Sequence, residues 1–284
     1  MRRYVLQLSY WMLFFYSSIA LAQTTPTQTD SVHGPWHHSV VAGLNLAQVG
    51  FSHWSQGGTD ALAYIASLAG KSERDAPMTN WTTTYKFDFG QTKASGRVIQ
   101  NTDDEINLQS VLTYKVGVHV NPYVSAALLT QFAPGYNYPE TGAAIQVSNF
   151  FDPAYLRQSA GMGYKLSEAF DTRLGIGLRE IITDHFTQYT GDPTKKTKIE
   201  GGLESVSDVQ LEVDKNVLFR AKLDFFGPFE EMDRVVMYVE GALVAKVSKV
   251  FSAEIDALVI SDPDVSPYTQ VKEGISIGIS YVLL

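Results

Sequence analysis

Cysteine is absent from this chain of 284 residues. Without a thiol there is no lipid-attachment site, no disulfide framework, no thiolate metal site and no cysteine nucleophile. Charge is scarce as well: Asp, Glu, Lys and Arg together make up 18%, where about a quarter is usual for a soluble domain. The balance of 30 acidic against 22 basic residues gives a net charge of −8. No basic cluster tracks a phosphate backbone, so nucleic acid is not an expected partner. Long apolar runs are missing, apart from Tyr10 to Ala22, which falls short of the ~20 residues that a spanning helix needs.

That one run has a different meaning. Arg2 and Arg3 precede it and Ala20-Leu21-Ala22 closes it, the layout of a secretory signal peptide over residues 1–22 with cleavage near Ala22. Residues 23–38, rich in Thr, Gln and Ser, are predicted to be a disordered leader. An exported chain with so few charges points to the envelope of a Gram-negative cell.

From residue 39 onward the sequence alternates with a period of two. Trp81, Thr83, Tyr85, Phe87 and Phe89 fall on one side and Thr82, Thr84, Lys86, Asp88 and Gly90 on the other, as on a strand with one apolar face. Strands are predicted at 39–52, 60–70, 80–91, 104–117, 122–132, 154–167, 170–183, 207–214, 216–226, 234–248, 250–261 and 270–284. Most reach the length of about nine to eleven residues that a tilted membrane strand needs. The gaps between them alternate short and long, with turns near 118–121, 167–169, 214–215 and 248–249 and loops at 91–103, 133–153, 184–206, 227–233 and 261–269. Only the turn at 71–79 is too long for the pattern. The reading is a transmembrane antiparallel β-barrel of about twelve strands over residues 39–284, with both termini in the periplasm and long loops outside. In the last strand Ile275, Ile277, Ile279, Tyr281 and Leu283 alternate with small residues, an arrangement suited to recognition by the barrel-assembly machinery. Trp54, Trp81, Tyr123, Tyr155, Tyr164, Phe225, Phe226, Tyr238 and Tyr281 are predicted to lie in belts at the water boundary.

Four motifs carry a family resemblance. They are Asn45-Leu46-Ala47-Gln48-Val49 with Trp54 and Gly57-Gly58; Thr102-Asp103-Asp104 before Ile106-Asn107-Leu108; Gln131-Phe132-Ala133-Pro134-Gly135-Tyr136; and Ser148 to Tyr155. Together they resemble the domain of unknown function 3078 family of Bacteroidetes-type envelope proteins, over roughly Trp36 to Leu284. The resemblance implies an exported β-barrel of unassigned activity and brings no catalytic residues with it.

The inward face collects charges, among them Lys86, Asp88, Arg157, Lys165, Arg173, Arg179, Arg220, Lys222, Asp224, Glu240, Lys246, Glu254, Asp256 and Lys272. Two expectations compete. The charges line a pore that selects small solutes, or they pair across strands and hold a narrow lumen rigid. Arg157, Arg173, Arg179, Arg220 and Lys222 form a basic stripe that would favour anions. Glu254 and Asp256 share a face and could work as a general acid and base, but Lys272 on the next strand makes ion pairing the expectation. The extracellular loop bearing Tyr136, Tyr138, Phe150 and Phe151 either binds a glycan, folds into the lumen or packs on itself.

Metal chemistry is not expected, because His37 and His38 face opposite ways and nothing completes a site with His33 or His53. Gly57-Gly58 reads as a tight turn, with no Lys-Ser or Lys-Thr following. No cofactor is implied. The expected partners are outer-membrane lipid and lipopolysaccharide, with small solutes or glycans. The functional reading is a non-enzymatic narrow channel or surface-binding scaffold of the outer membrane. Its alternatives are a barrel enzyme acting on lipid or lipopolysaccharide, marked by a Ser and a His at one rim height, and a soluble periplasmic β-sandwich.

Overall fold

A computed structural model describes residues 36–50, 60–139, 142–167 and 169–284. The expected signal peptide, most of the leader, and Trp54 with Gly57-Gly58 lie outside these residues.

In chain order the strands are β1 (Trp36–Val49), β2 (Ala61–Asp75), β3 (Thr79–Ala94), β4 (Gln100–Tyr114), β5 (Val120–Thr130), a small hairpin of β6 (Gly135–Asn137) and β7 (Ile145–Ser148), β8 (Ala154–Ser167), β9 (Phe170–Ile182), β10 (Thr197–Asp214), β11 (Val217–Pro228), β12 (Val236–Lys246), β13 (Phe251–Ser261) and β14 (Gln270–Val282). All but β6 and β7 join one closed sheet of twelve antiparallel strands, in which β1 pairs with β2 on one side and β14 on the other. Closure satisfies every edge, the condition for spanning hydrocarbon with strands. A single closed sheet has no facing second layer, so the sandwich alternative is corrected.

The seam depends on a glycine. A Cβ on Gly278 would collide with the Asn45 side-chain oxygen, and these two residues are register partners between β1 and β14. Away from the seam, Gly70 on β2 makes room on the outer face for the Tyr85 ring, which lies over it.

Alternation sets the two faces as expected. On β14 Ile277 is 68% exposed and the neighbouring Ser276 5%; Leu174, Ile176, Ile255 and Ile275 are likewise exposed, while Arg179, Glu204, Glu254 and Asp256 are buried. An apolar exterior around an ionised interior inverts a soluble protein and fits a lipid-facing barrel. The short connections (76–78, 115–119, the one through 169, 215–216, 247–250) gather at one end with both ends of the sheet, and the long ones at the other. These are called the turn end and the loop end below. Trp36, Trp81, Tyr114, Tyr164 and Tyr281 sit near the turn end, and Trp36 packs edge-on to Trp81 with ring centroids 5.4 Å apart.

Several expected boundaries move. β2 runs on to Asp75, so the overlong turn at 71–79 shrinks to 76–78. β1 takes in Trp36 to His38 from the expected leader, because the longer β2 offers Ser72, Glu73 and Arg74 as partners. The largest correction is β10. It begins at Thr197, inside the expected loop 184–206, and pairs with β9 through Gly201 and Gly202. Ile199, Leu203 and Ser205 do alternate with Glu200, Glu204 and Val206, but the glycine pair interrupts the apolar face.

Candidate functional site

The lumen is the candidate site, and many of its charges meet an opposite one. Lys86 on β3 lies 3.1 Å from Asp88 and 3.6 Å from Glu105 on β4. Arg157 on β8 pairs with Asp224 on β11, stands 3.6 Å from Glu204 on β10 and holds its guanidinium 5.8 Å over the Phe226 ring. Arg220 reaches Glu254 at 3.5 Å. Lys272 on β14 crosses the lumen to β4, donating to the Thr102 carbonyl at 3.0 Å and to Asp103 at 3.2 Å. Unpaired charges in so enclosed a place would cost several kcal/mol each, which makes such pairing compulsory.

Arg179 near the top of β9 is the most connected of these groups. It is 4% exposed, lies 6.0 Å over the Tyr155 ring, and donates to Glu200 at 3.1 Å, to Asp264 at 3.3 Å and to Asp262. Asp262 and Asp264 belong to the β13–β14 connection, which therefore bends from β13 over to β9. Asp264 also accepts from Lys198 at 2.6 Å and from Arg234 in the β11–β12 connection at 3.0 Å. Three loop-end segments are thus tied together by two carboxylates.

Beneath this strap is a cavity of about 310 Å³, bounded by Tyr155, Arg157, Asp224, Tyr238, Glu240 and Val265 among others. A wider vestibule of about 850 Å³ opens toward the turn end and includes His37, Thr84, Asp171 and Arg173 in its wall. Gln109 and Lys222 line both cavities. Lys222 Nζ donates to the Gln109 side-chain oxygen at 3.4 Å, joining β11 to β4 across the barrel. Both residues thus stand where the two spaces meet.

The structure redistributes the expected site residues. The basic stripe is broken up, since Arg157, Arg179 and Arg220 are each held by carboxylates. Arg173 lies 5.6 Å over the Tyr123 ring and Lys222 bonds an amide. Lys272 reaches Asp103 rather than Glu254 or Asp256, because its side chain extends across the lumen instead of along the neighbouring strand. Lys165 is exposed at the turn end, beside a register irregularity at the end of β8.

Four expected belt aromatics also turn inward. Tyr123 and Phe226 are buried, and Tyr155 and Tyr238 face the cavity. Three of these rings each carry an arginine, a role that sequence reasoning missed. Parity held the signal, since Tyr155 is two residues from Arg157 and Phe226 two from Asp224.

The loop of Tyr136, Tyr138, Phe150 and Phe151 is docked on the rim. Asp104 accepts from the Phe132 and Ala133 backbone N–H groups at 2.6 and 2.7 Å, and the Phe132 ring packs 6.1 Å from the lipid-side Phe87. Tyr136, Phe150 and Phe151 remain exposed, and Phe151 takes a left-handed φ of 55°. The strap, not this loop, roofs the cavity. Asp152 then ties the loop to the β9–β10 connection. Burial disfavours its carboxylate, but donation from the Thr183 hydroxyl and from the His185 and Asp184 backbone N–H groups, at 3.0 and 3.1 Å, outweighs that and holds its pKa below the usual range.

His37 and His38 do face opposite ways. His37 lines the vestibule; His38 is outside, with its Nδ1 2.8 Å from Ser72 Oγ and its ring stacked at 6.3 Å on Trp36. Among the described residues no group of His, Asp or Glu has the arrangement of a metal site.

Residues 46–136 match a family described as "Protein of unknown function (DUF3078)", the family that the four motifs resemble. No curated protein matches the chain. Solved structures similar to it include the translocator domain of the autotransporter NalP from Neisseria meningitidis, at 9% identity over 89% of this chain and 90% of that one, with a TM-score of 0.39. An outer membrane channel from Pseudomonas putida F1 is similar at 11% identity over 86% and 94%, with a TM-score of 0.41. The NanC porin is similar at 9% identity over 85% and 97%, with a TM-score of 0.39.

Proposed function

We propose that this protein is a narrow, gated channel of the outer membrane, with its turn end in the periplasm and its loop end outside. The observation that carries the reading is the pair of cavities in the lumen, with the hydrogen-bonded Lys222 and Gln109 on the wall of both and the Asp262–Asp264 strap over the smaller. A barrel serving only as a scaffold gains nothing from such spaces, because a filled interior packs better. Ionised walls around them hold water and solutes, where apolar walls would dewet.

The gate follows from the same contacts. Lifting the strap requires Asp262 and Asp264 to leave Arg179, Lys198 and Arg234; widening the passage between the cavities releases Lys222 from Gln109. In planar bilayers the wild-type protein should show small, infrequent conductance steps. The Asp262→Asn/Asp264→Asn variant should open longer and Lys222→Ala should raise the step size. Silence from all three proteins, each verified as a folded barrel by heat-dependent gel mobility, would reject the channel.

A second reading rests on the His38–Ser72 contact. It places a hydroxyl and an imidazole on the lipid-facing side of one rim, as a barrel hydrolase acting on lipid would need. No carboxylate orients His38 among the described residues. Ester turnover in mixed micelles that disappears in Ser72→Ala would support this reading, and turnover unchanged in that variant would dismiss it.

A further inference from the structure

The seam between β1 and β14 is paired along only part of its length. Register partners run from Val41 with Val282 to Asn45 with Gly278 and stop there, whereas β1 pairs with β2 from Trp36 through Val49 and β14 with β13 from Gln270 through Ile279. Toward the turn end the Val40 N–H donates to the Leu284 carbonyl at 3.2 Å and the Leu283 N–H to the Val40 carbonyl at 2.8 Å. Bonded and non-bonded positions alternate along a strand, so the N–H groups of Gln48 on β1 and of Ile275 on β14 also point to the seam. There, among the described residues, neither has a register partner across it.

A cavity lies against the place where pairing ends. It measures about 720 Å³, occupies the luminal side of the seam toward the turn end, and has Asn45 and Gly278, the last pair, in its wall. Lys246 and Lys249 also line it. Glu254, the acid on the same wall, is taken by Arg220, and among the described residues neither lysine meets a carboxylate. Beyond the last pair the luminal side chains are short, Ala47 on β1 with Ser276 and Gly274 on β14, while Leu46, Ile275 and Ile277 stand exposed on the lipid side. The paired stretch covers roughly 15 Å along tilted strands, about half the height of an apolar band of ~25 Å.

We propose that this seam is a lateral exit, through which an amphiphile with an anionic head and an alkyl tail passes between the lumen and the membrane. The cavity takes the head, with Lys246 and Lys249 supplying the opposite charge. The tail extends past Asn45 and Gly278 to the unpaired stretch and leaves between Leu46 and Ile277, where it meets only hydrocarbon and side chains of its own kind. Hydrocarbon offers no partner to backbone N–H and C=O groups. Water from the lumen must therefore reach the unpaired edges, which makes the gap accessible from inside. The exit goes beyond the channel reading, since a solute that leaves sideways does not need the strap to lift.

The deciding measurement is fluorescence quenching in the full-length protein reconstituted into vesicles, with a fluorophore on Ser276→Cys at the gap or on Thr84→Cys on the vestibule wall. Dodecanoate brominated near the end of its tail should quench the label at position 276 several-fold more than the label at 84. A dodecyl trimethylammonium brominated at the same carbon should quench it far less, and bromopropanoate, which has no tail, should not discriminate between the two positions. Lys246→Ala/Lys249→Ala should erase the advantage of the anionic amphiphile over the cationic one. Equal quenching at 276 and 84, or equal quenching by both amphiphiles in the wild type, would overturn the proposal. So would disulfide-linked dimers of unlabelled Ser276→Cys, which would place a second copy of the chain at the gap.

Cross-linking reads the gap without any ligand. Val41→Cys/Val282→Cys, at register partners in the paired stretch, should form a disulfide on mild oxidation. Ala47→Cys/Ser276→Cys, which would be partners if the same register continued, should not, because a disulfide needs Cα atoms within about 7 Å. Equal cross-linking of the two pairs would close the seam and overturn the exit while leaving the channel standing. Quenching and cross-linking as expected in a protein that never conducts would leave the exit and remove the channel.

Discussion

In the loop-end half of the lumen Arg157 and Arg179 are held by two or more carboxylates each, whereas toward the turn end the charges meet fewer: Arg220 reaches Glu254, Lys71 reaches Glu73, and Arg173 lies over a tyrosine ring. The same sheet supplies both halves, and the residue types are alike. What differs is room. Near the strap, charges are sealed from water and must find partners, because a lone buried ion costs several kcal/mol. Around the vestibule of about 850 Å³ water can solvate them. Side-chain exposure reports how tightly each level of the barrel is closed: 4% at Arg179 against 33% at Lys71 on the vestibule wall.

The sharpest way to break this contrast is Arg179→Ala, which leaves Glu200, Asp262 and Asp264 without their shared partner. The expected loss is about 3–5 kcal/mol. It would be read from urea unfolding in detergent, and the 262–269 strap would become sensitive to protease. An effect as small as that of a vestibule substitution would mean that the two halves are equally wet.

The same rule extends to the loop rim, where Asp152→Asn removes a charge-assisted acceptor and should cost about 1–3 kcal/mol. Because the folded-state pKa of Asp152 is lowered, its contribution is complete above the unfolded value of about 3.9 and is lost as pH falls through the lower folded value. Hydrogen exchange at residues 183–187 should thus accelerate below about pH 4 in the wild type. In Asp152→Asn it should be fast, and independent of pH once the intrinsic rate is removed.

Smaller effects belong to the turn-end half. Arg173→Ala gives up a cation–π contact worth about 0.5–1 kcal/mol at a hydrated site, a shift at the edge of detection in the same urea titration. Lys222→Ala should change stability by no more than about 0.5 kcal/mol, yet join the two cavities and enlarge the unit conductance. A large loss of stability from either would show the vestibule to be as closed as the strap region.

What the sequence made legible was local. Period-two alternation located the strands and their lipid side, and short gaps against long ones located the two ends, because both signals lie in neighbouring residues. Contacts across the lumen were not legible. Lys272 meeting Asp103 and Lys222 meeting Gln109 depend on how far the strands are staggered around the barrel, which no stretch of sequence encodes by itself. Glu200, Glu204 and Arg179 were obscured for a related reason: the start of β10 carries Gly201-Gly202 and reads as loop until β9 is beside it. Tyr155 and Phe226 were assigned to the belts by nearness to a strand end, when parity with Arg157 and Asp224 would have turned them inward.

The most direct test of a lipid-facing apolar wall around a hydrated, ionised lumen uses the absence of cysteine in the chain. Single cysteines at Ile277 and Thr84, in protein reconstituted into vesicles, would be offered a charged water-soluble maleimide and a membrane-partitioning one. The structure predicts that Thr84→Cys reacts with the first and Ile277→Cys only with the second. Reaction of Ile277→Cys with the charged reagent while Thr84→Cys stays protected would contradict it.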